Sequence, residues 1–181
     1  MRVQPFHTGH QLLIDAMLSE CEICYIFIGS AQESGTVRNP IPYLSRKRLI
    51  ENFYAEEWSS GRLVTRPAED INDLPNWSNY IVNQIDPVVD KYYAGSKYDA
   101  VAFTDYPPKN YPKIEVGVLD REDSPQLASG TDIRELFKKG NPTWKLFIPV
   151  GNVDITERVL NGKHPFPELE KLEEEMGGEM L

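Results

Sequence analysis

Between positions 23 and 28 the chain reads Ile-Cys-Tyr-Ile-Phe-Ile, without a polar residue in alternation. A strand with one wet face alternates apolar and polar side chains, so an unbroken apolar run has to be buried on both faces. Its β-branched and aromatic content favours extended backbone, and Gly29-Ser30 ends it. Asp99 to Phe103 and Ile114 to Leu119 read as further buried strands, and Gly61 to Thr65 as a short one. Between them lie stretches with apolar residues at helical spacing. The first runs from about Gly9 to Ser19 and carries Leu12, Leu13, Ala16 and Met17. A second is opened by Ser45 as its cap, with Leu49, Ile50 and Phe53 inward. Trp77 to Tyr92, Thr131 to Lys139 and Val153 to Leu160 follow, and Trp144 to Val150 turns back on the body. Strands alternating with helices predict an α/β fold with a parallel sheet covered on both faces. Ligands of such sheets bind at the carboxyl ends of the strands. That would bring His7, Ser30, Thr104 and Ser129 towards one another.

A chain of 181 residues is long enough for one domain with a real core. We expect that domain over 1–162, with 163–181 a linker and an acidic helix, since six glutamates fall between Glu168 and Glu179. No apolar stretch approaches the ~20 residues that span a bilayer, and no signal peptide is evident, so a cytoplasmic location is expected. A net charge of −9 argues against non-specific nucleic-acid binding. A polyanionic substrate would need a local cluster of positive charge, aided by a divalent cation. Cys21 and Cys24 have the spacing of half a zinc site, but no second pair completes one. They follow a helix rather than open one, which favours inert thiols over a redox pair.

The N-terminus carries the chemistry. Arg-Val-Gln-Pro-Phe-His-Thr-Gly-His spans positions 2–10, directly before the first helix. His7 then lies on the entry loop and His10 in the first turn, where unbonded N–H groups and the positive end of the helix dipole gather. Such an end receives phosphate. Gly9 lets a bulky anion approach the backbone, and two imidazoles add donors beside it.

Those residues resemble the signature of the nucleotidyltransferase superfamily, whose core is His/Thr-x-Gly-His; Gln4-Pro5-Phe6 in front makes the match more specific. Ile28-Gly29-Ser30-Ala31-Gln32, followed by Thr36-Val37-Arg38-Asn39-Pro40, is similar to the archaeal-type nicotinamide-nucleotide adenylyltransferases. In that group an arginine follows Asn-Pro and corresponds to Arg46; Ser45 replaces the acidic residue usual before it. Ser129-Gly130-Thr131-Asp132-Ile133-Arg134 looks like the second phosphate-binding motif of the superfamily, with Arg134 one turn after the hydroxyls. A guanidinium suits bidentate binding of phosphate. Asn72-Asp73 followed by Trp77 resembles the loop that holds the nicotinamide, where an indole can stack on a cationic ring.

The resemblance covers about Arg2 to Val150 and implies a Rossmann-like fold. It also implies transfer of the adenylyl group of ATP to nicotinamide mononucleotide, giving NAD and pyrophosphate. His7, His10, Arg134 and Arg46 would be catalytic. Gln4, Pro5, Phe6, Gly9, Ser129, Gly130 and Thr131 would bind ATP. Arg2, Ser30, Arg38, Asn39 and Trp77 would bind the mononucleotide, with Tyr106, Lys109, Tyr111 and Lys113 as further candidates near the acceptor. Magnesium (Mg2+) would be held through substrate phosphates, not by a protein metal site. A homo-oligomer is compatible with the sequence. The rivals are an adenylyl- or cytidylyltransferase of the same fold with a phosphopantetheine, flavin or sugar-phosphate acceptor, and an inactive nucleotide-binding regulator. Members of the family carry a buried central strand directly before the first motif. Here only Met1 precedes Arg2, so that strand is expected to be missing, and the coding sequence is expected to begin upstream.

Overall fold

The computed structural model describes residues 1–85, 88–111, 113–119 and 128–167. It is an α/β fold with parallel strands: β1 (Cys24–Ile28) pairs with β2 (Leu63–Pro67), and β3 (Lys91–Ala94) with β4 (Glu115–Val118). The strands form two separate two-stranded pieces rather than one continuous sheet. Residues 1–7 add no strand. Met1 alone sits against β1, its N–H group donating to Phe27 O at 3.0 Å and its carbonyl accepting from Gly29 N at 2.8 Å.

Helix α1 (Thr8–Glu20) precedes β1; α2 (Tyr43–Phe53) and α3 (Ala55–Ser59) join β1 to β2. Helix α4 (Leu74–Val82) leads to β3, and α5 (Lys97–Thr104) crosses to β4. Helix α6 (Gly130–Lys138), a 3-10 turn over Pro142–Phe147 and α7 (Val153–Leu160) complete the described chain. The first core gathers Val3, Phe6, Ile14, Ile26, Ile28, Leu49, Ile50, Tyr54 and Leu63, so two residues of the N-terminal motif are core residues. A second core centres on Ile81, Val82 and Phe103, and a third on Ile133, Trp144 and Ile148.

Several boundaries differ from the sequence expectation. Asp99 to Phe103 is helical, not a strand. Ser96 caps α5 by accepting from Asp99 N at 3.1 Å, and Ala100, Ala102 and Phe103 are buried. A short apolar run is ambiguous, and a capping serine with two alanines tips it to helix. Thr104 therefore ends a helix and not a strand. Helix α4 begins at Leu74, three residues before Trp77, because Asp73 caps it and Pro75 suits the first turn. It stops at Val82, well before Tyr92, which belongs to β3. Ser45 lies inside α2, which starts behind Pro42 without a side-chain cap. β2 begins two residues late because Gly61, at φ 79°, is used to turn the chain out of α3. The acidic segment from Glu168 and most of the loop after Leu119 lie outside the described residues.

Candidate active site

The site is built where α1 starts. His7 has extended backbone (φ −146°) and is the cap of α1: its ring Nδ1 accepts from Gly9 N at 3.1 Å, and its carbonyl accepts from His10 N and Gln11 N. A neutral imidazole accepting at Nδ1 carries its proton on Nε2, which makes Nε2 the donor. The His10 ring stacks on that of His7, with centroids 3.7 Å apart. The Phe6 ring lies 6.1 Å from that of His10 and nearly parallel to it, and is fully buried against Phe53 and Tyr54. Phe6 is therefore the apolar backing of the histidine pair.

The residues just before form a second layer. The peptide between Gln4 and Pro5 is cis, and Val3 has φ 55°, uncommon for a β-branched residue. The buried Gln4 amide grips the 29–41 loop from one end: Nε2 donates to Ile41 O at 3.1 Å, and Oε1 accepts from Ile41 N at 2.9 Å. The Gln4 carbonyl meets the second motif. Arg134 donates to it at 2.5 Å, and a Cβ placed on Gly130 would lie 2.5 Å from the same oxygen. Only glycine fits there. Ser129 caps α6 in a reciprocal box with Asp132: the hydroxyl accepts from Asp132 N, while Asp132 Oδ2 accepts from Ser129 N (2.9 Å) and Oγ (2.6 Å). Those bonds hold the Asp132 carboxyl below its usual range. Thr131 accepts a second Arg134 N–H at 3.3 Å.

Positive charge gathers in this otherwise acidic molecule. Partial burial lowers the Arg134 pKa, and the charge of Arg2 lowers it further. Two guanidinium groups held close enough to oppose one another suit a polyanion, whose arrival relieves the repulsion. Arg46 is placed differently. It is wholly buried, and its guanidinium donates to the carbonyls of Arg2 (2.9 Å), Gly29 (2.7 Å), Ser30 (3.0 Å) and Glu33 (3.5 Å). Burial pulls its pKa down to about 10, while Tyr43, Asp70 and Glu33 act the other way. Its position makes it a brace between the first motif and the 29–41 loop.

On that loop Ser30 is buried at φ 51°, its hydroxyl donating to Asp70 at 2.7 Å. Asn39 is buried too; Nδ2 donates to Glu33 at 2.6 Å, and its N–H group donates to Thr36 Oγ1. Arg38 is exposed on the turn between them. Trp77 is half-buried on α4, 5.5 Å from the Tyr80 ring, beside the second core. Tyr80 OH accepts from Glu69 N, which ties that helix to the segment bearing Asp70. Thus Gly130 and Arg134 meet on the Gln4 carbonyl, His7 and His10 stack on one another a few residues further along the same motif, Arg46 ties Ser30 to the backbone of Arg2, and Trp77 lies on α4, which Tyr80 links to the segment bearing Asp70.

Two contributors were missed from the sequence. Asp132 had a signal, since Ser-x-x-Asp before an apolar run is a capping box. Asp70 had none, being 40 residues from the serine it holds. Two surface concavities, of about 460 and 290 Å3, lie elsewhere, at the C-terminus of α1 and beside Tyr111. Among the described residues, no three His, Cys, Asp or Glu side chains gather as metal ligands. No described helix is long and apolar enough to cross a membrane.

The cytidylyltransferase-like family model matches residues 2–136. Among curated relatives, the nicotinamide-nucleotide adenylyltransferase of Thermococcus kodakarensis is 32% identical over 82% of this chain and 74% of its own. The protein of the same name from Picrophilus torridus is 30% identical over 82% of each chain. That of Methanolobus tindarius is 28% identical over 87% of this chain and 85% of its own.

Proposed function

The chain belongs to the cytidylyltransferase-like family, and we infer that within it the protein is a nicotinamide-nucleotide adenylyltransferase, joining ATP and nicotinamide mononucleotide into NAD and pyrophosphate. The observation that supports the chemistry is the seating of Gly130 and Arg134 on the carbonyl of Gln4, three residues before His7 in the first motif.

The reaction needs no covalent enzyme intermediate. An oxygen of the 5′-phosphate of the mononucleotide attacks the α-phosphorus of ATP. A new P–O bond forms, the bond to the β-phosphate bridge breaks, and pyrophosphate leaves with the charge. The nucleophile is already ionised, so no general base is required. Catalysis reduces to positioning and charge stabilisation. His7 Nε2, His10 and the free end of α1 would donate to the phosphates, and Arg134 with Arg2 would hold the departing pyrophosphate. Arg46 acts from beneath, fixing the backbone of Arg2 in the first motif to that of the 29–41 loop. Magnesium would enter bound to nucleotide phosphates, and no step here is routed through it. Trp77, Ser30, Arg38 and Asn39 form the acceptor side. The compartment is the cytoplasm, and assembly into a homo-oligomer is compatible with the reading.

The test is product analysis with ATP and a panel of acceptors: nicotinamide mononucleotide, nicotinate mononucleotide, phosphopantetheine, flavin mononucleotide and a sugar phosphate. NAD from the first supports the reading. Exclusive transfer to phosphopantetheine, the flavin or the sugar phosphate puts a rival of the same fold in its place, and no product with any acceptor favours a regulator.

A further inference from the structure

We propose that Asp70 is a positioning residue for the acceptor side of the site, acting through the backbone of Ser30; the kinetic part of this proposal rests on the function inferred above. Ser30 is held at φ 51°, in the left-handed region that a residue with a Cβ adopts only when its surroundings impose it. Its carbonyl accepts from Arg46 at 3.0 Å and from Glu33 N at 3.1 Å, but Asp70 is what grips its side chain, at 2.7 Å. The same aspartate accepts no core packing: it is exposed, on the loop after β2, and its own N–H group reaches Gln32 Oε1 at 3.3 Å. Next to it, Ala31 N donates to Ala68 O at 3.0 Å. Ser30, Ala31 and Gln32 are thus docked, one after another, on the segment from Ala68 to Asp70.

The loop from Gly29 to Ile41 carries Arg38 and Asn39. Gln4 fixes its far end, through Ile41; at the near end Arg46 holds the carbonyls of Gly29 and Ser30, and Asp70 holds the Ser30 side chain. Loss of the Asp70 grip lets Ser30 relax towards an ordinary backbone conformation, which shifts the loop that follows relative to Gln4. The cap of α1, His7 on Gly9 N, and the Ser129–Asp132 box of α6 involve neither Ser30 nor Asp70, so ATP binding is spared. An exposed residue whose loss spares the core but misplaces one substrate is doing positioning, not packing.

The experiment combines hydrogen exchange with kinetics on the full chain. In Asp70→Ala, the amides of Ala31 and Glu33 exchange at least about tenfold faster, as expected for loss of a hydrogen bond to a charged group. KM for nicotinamide mononucleotide rises about tenfold while KM for ATP and kcat stay within about twofold. Asp70→Asn, which keeps an oxygen to accept from Ser30, recovers most of both. In a Ser30→Gly background, where glycine adopts φ 51° unaided, adding Asp70→Ala changes neither readout further. Unchanged exchange in Asp70→Ala, an equal rise in both KM values, or full additivity in the double variant overturns the proposal. If the wild-type chain made no NAD, the functional reading would fall alone, and the exchange data would still decide the role of Asp70.

Discussion

The imidazoles of His7 and His10 lie face to face, 3.7 Å between centroids and 28° between planes, with His7 as the cap of α1. Stacking fixes both rings before any phosphate arrives, which is the preorganisation that electrostatic catalysis needs. His10→Ala removes one donor and the support of the other ring. Turnover should fall by ~10²–10³, the loss seen for a single preorganised donor. Stability should fall by no more than ~1.5 kcal/mol, the worth of an aromatic pair. Steady-state kinetics beside a denaturant titration checks both; near wild-type turnover would remove His10 from the site.

Gly130→Ala tests the junction of the two motifs. The added methyl would stand 2.5 Å from the Gln4 carbonyl oxygen and 3.0 Å from its carbon. Backbone cannot swing aside as a flexible side chain can, so overpacking should cost about 1–3 kcal/mol. It should also push Arg134 off the carbonyl and raise KM for ATP. A variant with wild-type stability and ATP affinity would show that the contact relaxes freely.

Trp77→Ala separates acceptor binding from packing. The indole is only half-buried beside Tyr80, so truncation leaves an open surface rather than a sealed cavity. KM for nicotinamide mononucleotide should rise by about tenfold or more, in line with a desolvated cation–π contact of ~2 kcal/mol, with KM for ATP little changed. Equal effects on both substrates, or lost stability alone, would assign the ring to the core.

Acid sensitivity follows from Asp132. Its carboxyl is held below the ordinary range by the hydroxyl and the N–H group of Ser129. A depressed folded-state pKa gives stability that is present above the unfolded value, near 3.9, and lost as pH falls through the folded value. Asp132→Asn should therefore be less stable at neutral pH, and the gap should close as pH drops below ~4. Parallel curves for the two proteins down to pH 2 would contradict the capping box.

Much of this architecture was legible in residues 1–30. The apolar run at Ile23–Ile28 became β1, and the helical spacing of Leu12, Leu13, Ala16 and Met17 marked α1, which starts one residue before the expected Gly9. The start of α6 was legible to within one residue, since the Ser129 hydroxyl acts within one turn, although its partner Asp132 was missed. Local chemistry decides such elements, and local chemistry is what a sequence displays. Asp99 to Phe103 was misread because five apolar-rich residues fit either period, and a cap at Ser96 outweighed strand propensity. The brace at Arg46 and the grip of Asp70 on Ser30 could not be read at all. Each joins residues that meet only in three dimensions, and Arg46 spends its donors on carbonyls, which every residue has.

The bond between Arg134 and Gln4 closes a loop of 130 positions. During synthesis, the first motif leaves the ribosome long before its partner exists, so this junction is absent from the nascent chain until α6 has been made. On the proposed function, a nucleotide held across it would stitch the two motifs together. At 100 times its Kd it would raise resistance to unfolding by ~2.7 kcal/mol. ATP availability would then influence how long a newly made molecule survives proteolysis, as well as how fast it turns over.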